Sequence, residues 1–95
     1  MTPIRPARQK FSLGRVVITG TAQGVIPGDE AAAALRRHAA GDRGDLCVED
    51  RAVNEQALRD GQRLLSSYRS ASGVPFWIIT DADRAYTTIL RPEDY

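Results

Sequence analysis

The sequence predicts one α+β domain built on a four-stranded, mostly antiparallel sheet. Two helices cover one face, in the order β-α-α-β-β-β. Three observations predict this. Residues 61–90 hold three β-like segments separated by short turn signals. The middle segment, residues 75–80 (Pro-Phe-Trp-Ile-Ile-Thr), is apolar at both parities, so it needs neighbouring strands and cover on both faces. Two upstream stretches carry apolar residues at helical spacing and supply cover. At 95 residues the chain makes one modest core.

The elements follow in order. Residues 13–19 read as the first strand, because Val16, Val17 and Ile18 are β-branched and stiff. Residues 20–28 form a loop broken by Gly20, Gly24, Pro27 and Gly28, with room for a helical turn at 22–25. Asp29 is the expected N-cap of the first helix, Ala31 to Ala34 favour it, and Gly41 is its natural stop. Ala31, Leu35 and Ala39 share its apolar face, with Ala34 and His38 beside them. Alanine buries little area, so this helix must sit close to the sheet.

A loop at 41–46 precedes the second helix. Cys47 occupies its cap position, Glu49 and Asp50 oppose its dipole, and Gly61 ends it. Val48, Ala52, Val53, Ala57 and Leu58 form the expected apolar stripe, and Glu55 with Arg59 the expected i, i+4 ion pair. Strands are expected at 63–69, 75–80 and 86–90, with turns at 70–73 and 81–84 and Pro92 as terminator.

Charge and composition exclude several classes. Lys and Arg number 13 and Asp and Glu 12, so no global field draws the chain to nucleic acid. The charge is uneven. Residues 1–12 carry Arg5, Arg8 and Lys10 and no acid, alongside Pro3 and Pro6, and read as a flexible basic arm ahead of a domain at 13–95. No apolar run reaches the ~20 residues of a membrane span, and the start lacks an apolar secretory core. One cysteine precludes an internal disulfide and fits a cytoplasmic setting. One cysteine and one histidine do not make a zinc site.

No chemical motif survives inspection. Residues 17–24 (Val-Ile-Thr-Gly-Thr-Ala-Gln-Gly) begin like a dinucleotide loop, but Ile26 stands where a further glycine is needed, and Pro27 and Gly28 delay the helix. Arg43-Gly44-Asp45 reads as a turn, not an adhesion signal. Asp42, Asp45, Asp81 and Asp83 read as turn and cap residues, because the alternating ligands of a calcium loop are missing. His38 reads as a packed side chain, and Cys47 as an incidental residue at a helix cap position rather than a low-pKa nucleophilic thiol. No catalytic residue, cofactor or metal site is therefore predicted. The aromatics Tyr68, Phe76, Trp77 and Tyr86 all fall on strands. Two large aromatics on the uncovered face would mark a binding patch or a surface covered by a second copy in a homodimer. Arginines beside such aromatics offer weak stacking on unpaired bases.

Several blocks resemble a family of short bacterial proteins usually described as plasmid-related or hypothetical, some labelled as a type I restriction methylase subunit. They are Gly14-Arg15-Val16-Val17, Leu35-Arg36-Arg37-His38, Gly41-Asp42-Arg43-Gly44-Asp45-Leu46, Asn54-Glu55-Gln56-Ala57-Leu58, Arg63-Leu64-Leu65-Ser66-Ser67-Tyr68 and residues 77–84. The family's usual loop carries Trp where Arg43 stands. The resemblance implies a bacterial mobile-element setting and no catalytic residue. The resulting expectation is a non-catalytic, macromolecule-binding accessory protein that inhibits a host defence complex of restriction or CRISPR type. Its partner would be a host protein or nucleoprotein complex, met through Arg36, Arg37, Arg43, Tyr68, Trp77 and Tyr86. The alternative is a weak nucleic-acid binder using the basic arm and the sheet aromatics.

Overall fold

The structure, a computed structural model, describes residues 9–95, so most of the expected basic arm lies outside the described residues. The fold is α+β. Its elements run β1 (Arg15–Ile18), α1 (Gly20–Gln23), α2 (Gly28–Ala39), α3 (Val48–Asp60), β2 (Leu64–Arg69), β3 (Pro75–Thr80) and β4 (Tyr86–Leu90), then a 3-10 turn at Pro92–Asp94. The four strands lie in the order β1-β4-β3-β2. The β2–β3 and β3–β4 pairs are antiparallel and β1 joins β4 in parallel, which makes the sheet mixed. The meander places the doubly apolar β3 inside, as its composition requires, and leaves β1 and β2 as the edges.

Strand alternation assigns the two faces. Ile18, Ile89, Ile78, Phe76 and Tyr68 point to one face, where Ala22 and Ile26 from the α1 segment and Ala31 and Ala34 from α2 complete the core. Ala31 and Ala34 are the buried α2 residues of this core, with Leu35 packed against it. Arg15, Val17, Tyr86, Thr88, Trp77 and Arg69 lie on the other face. Their neighbour Trp77 meets Tyr95 edge-on, with ring centroids 5.6 Å apart.

Local chemistry explains the boundaries. β1 starts at Arg15 rather than at residue 13, because Gly14 turns sharply with φ 62°. A Cβ there would sit 2.3 Å from the carbonyl oxygens of Arg84 and Ala85, so only glycine allows this approach to β4. The helical turn within the first loop is α1, whose cap Thr19 accepts from the Ala22 N–H. α2 begins after Pro27, not after Asp29; Asp29 and Glu30 instead lie in its first turn and oppose the dipole. α3 begins after Cys47, whose side chain makes no cap bond, and ends on left-handed Gly61.

α3 is rotated from the expected stripe. It buries Asn54 and Ala57, while Val48 and Val53 are 71% and 65% exposed. Arg59 donates to Gln56 at 2.8 Å instead of pairing with Glu55.

Candidate interaction site

The polar chemistry of this protein lies inside it. His38, Ser66, Thr80 and Thr87 are fully buried on the core face. Thr87 donates its hydroxyl to the Leu13 carbonyl at 2.6 Å. It therefore accepts from Thr80 at 2.7 Å, and Thr80 in turn accepts from His38 Nε2 at 2.9 Å. That direction leaves His38 Nδ1 to accept from the Ser66 hydroxyl at 2.6 Å. The relay is satisfied end to end only by a neutral imidazole. Burial, then the nearby Arg43 and Arg84 charges, push the His38 pKa down to about 3. Phe11 closes the cluster, edge-on to His38 at 5.2 Å and stacked on Arg43 and Arg84 at 5.7 and 5.6 Å. Ser66 and His38 resemble a nucleophile–base pair by distance, but both are fully buried. Cys47, by contrast, is exposed at the α3 start, so the two groups do not converge.

The six residues expected to meet a partner are split by the fold. Arg43 and Tyr68 are corrected to interior positions, each 2% exposed. Left-handed Gly44 (φ 68°) turns the loop against β2, which carries Arg43 beneath Phe11. Arg43 Nη1 donates to Ser66 Oγ at 3.3 Å, whereas Nε and Nη2 are buried without a partner among the described residues. Burial lowers its pKa. Tyr68 falls at core parity on β2 and donates to the Asp42 carbonyl. Burial pushes its pKa up to about 12.

Arg36 and Arg37 are exposed on α2. Arg37 stacks over the Tyr68 ring at 4.7 Å and pairs with Asp42 at 2.8 Å. That hydrogen bond raises the Arg37 pKa and lowers that of Asp42. A hollow of about 170 Å³ opens here between Glu30, Arg37, Arg69 and Phe76. Trp77 and Tyr86 lie on the opposite face of the sheet, Trp77 half-buried and Tyr86 46% exposed. Among the described residues no cluster of three acidic, His or Cys side chains could hold a metal. No described helix is long and apolar enough to cross a membrane.

The two sheet edges differ. On β2 the outward-pointing backbone is satisfied at Ser67 and at the Leu65 N–H. Leu65 N–H donates to Asn54 Oδ1 at 2.7 Å, Ser67 N–H to the Arg43 carbonyl at 3.1 Å, and Ser67 accepts from Asp45 N–H at 2.7 Å. On β1, Arg15 and Thr19 turn their N–H groups inward, to Ala85 and Ile89 at 2.9 and 3.0 Å. The alternate residues Val16 and Ile18 therefore point their backbone groups outward, with no partner among the described residues. The sequence signal for the open edge was present in Val16-Val17-Ile18, but an edge and an interior strand of this composition look alike. The internal relay was missed because Ser66, Thr80 and Thr87 carry no motif spacing; only their shared core parity marks them. Comparison with protein-family models, with curated proteins and with solved structures finds no match for the chain.

Proposed function

We propose that the protein acts by binding another macromolecule and performs no catalysis of its own. One observation carries the reading: His38 and the hydroxyls of Ser66, Thr80 and Thr87 are locked in a sealed, neutral relay, while Arg36, Arg37 and Tyr86 stand outside. A proton donor or nucleophile that is fully buried and hydrogen-bonded on both sides supports structure, not turnover. The resemblance sharpens this to a cytoplasmic accessory protein of a bacterial mobile element that blocks a host restriction or CRISPR-type complex. The test is protection of incoming DNA in a restricting host. Ser66→Ala is expected to keep protection, and Tyr86→Ala with Arg36→Ala to lose it at unchanged thermal stability. Loss of protection by Ser66→Ala in a folded protein would overturn the reading in favour of an enzyme.

One arrangement favours a second reading, a weak binder of single-stranded nucleic acid. Arg15 lies beside Tyr86 in register, and Arg63 stacks 5.5 Å from the Tyr95 ring next to Trp77. This reading predicts gel retardation that weakens steeply with salt and disappears when residues 1–12 are deleted.

A further inference from the structure

We propose that two copies of this chain pair edge to edge through β1, antiparallel about a two-fold axis at Val17, to give one continuous eight-stranded sheet. Exposed apolar edges are normally blunted by a charge, a proline, a bulge or a covering loop. β2 has such cover. The centre of β1, Val16-Val17-Ile18, carries no charge or proline and has no covering loop among the described residues, and Val16 and Val17 are 42% and 39% exposed. The outward backbone groups sit on Val16 and Ile18. A two-fold axis at Val17 sets Val16 of one copy opposite Ile18 of the other. Such a pair exchanges both N–H···O bonds, and symmetry repeats it.

Charge complementarity selects a second copy as the occupant, and selects this register. Arg15, Val17 and Thr19 share one face of the strand. With the axis at Val17, Arg15 of each copy lies across from Thr19 of the other. The Thr19 hydroxyl holds the Asp94 carboxylate at 2.7 Å, and Thr21 holds the same oxygen. Arg15 thus meets an anchored acid twice in the dimer. Within the chain the ion pairs among described residues are Arg37–Asp42 and Arg91–Glu93, so Arg15 has none. Moving the axis to Val16 would face Arg15 with Val17 and leave that charge unmatched. The chain therefore supplies both halves of the contact: a β-branched centre, a base at one end and a fixed acid at the other. An interface this small makes a weak dimer, at the low end of specific contacts. The inference goes beyond the proposed binding role, and its readout is self-association alone.

Sedimentation equilibrium of the full chain up to about 1 mM is expected to show a monomer–dimer equilibrium. Arg15→Asp should raise the dimer Kd at least about tenfold by setting acid against acid. Adding Asp94→Lys to that variant should recover part of the loss. In a Cys47→Ser background, Val17→Cys should oxidise to a covalent dimer, because opposed residues at a non-hydrogen-bonded antiparallel site have Cα atoms about 4.5 Å apart. Val16→Cys in the same background should not, because its symmetry mate lies two residues off register. A monomer throughout, an Arg15→Asp dimer of unchanged Kd, or equal cross-linking at both positions would each overturn the proposal.

Discussion

The two edges of this sheet solve one problem in opposite ways. Along β2, a glycine-driven loop and the middle of α3 present an oxygen or an N–H to outward backbone groups. Along β1, Val16 and Ile18 keep theirs unmatched among the described residues. The covered edge needed specific tertiary contacts. Asn54 is buried at the cost of α3's expected stripe, and Gly44 adopts a conformation that few other residues tolerate. The difference teaches that the buried Asn54 side chain serves the backbone of the sheet edge. An uncovered edge in the same sheet is then informative.

Breaking the covered edge should have the largest effect. Gly44→Ala would place a Cβ 2.0 Å from the Ser67 carbonyl oxygen and 2.7 Å from the Tyr68 ring, at positive φ. Urea denaturation should show a loss of about 3 kcal/mol or more, since the loop must leave β2. Lowering the pH should have the next largest effect, through the relay behind that loop. The His38 pKa falls from an ordinary 6.5 to about 3 on folding, so the unfolded chain takes up the proton first. Stability is therefore full above pH 6.5 and falls by up to about 1.4 kcal/mol per pH unit toward pH 3. His38→Gln, less stable at neutral pH, should show a flatter denaturation profile over that window.

Asn54→Ala should cost about 1–3 kcal/mol, because it strands the Leu65 N–H at a half-buried position. Asn54→Asp keeps that acceptor oxygen but sets a buried, charged oxygen against the Asp50 carbonyl that Asn54 Nδ2 now donates to at 2.9 Å, so it should cost at least as much. At the other edge, Val16→Thr should change stability by no more than about 0.5 kcal/mol, since the side chain is 42% exposed and its outward backbone groups are unchanged. A large loss from Val16→Thr would mean that β1 is held far more firmly than its surroundings imply.

Residues whose role is local were legible. The meander strands β3 and β4 fall at the expected residues, since a doubly apolar run between turn signals has few other solutions. Gly61 ends α3 as its type implies. Interior roles were not legible. Tyr68 and Trp77 are both strand aromatics, yet parity and cover send one into the core and the other to the opposite face. Arg43 reads as a surface residue in any sequence, and only Gly44's left-handed turn carries it under Phe11. His38 was placed near an apolar face, but its partners lie 28 and 42 residues away along the chain.

The sequence by itself determined the class of fold, the meander and the ends of α3, β3 and β4, because hydrophobic period, glycine and proline act over a few residues. Tertiary structure alone decided that β1 lies parallel to β4, that α3 faces inward with Asn54, and that among the described residues one edge is covered while the other is open. Those outcomes depend on which distant backbone groups find partners, a long-range matching of donors and acceptors that no local pattern encodes.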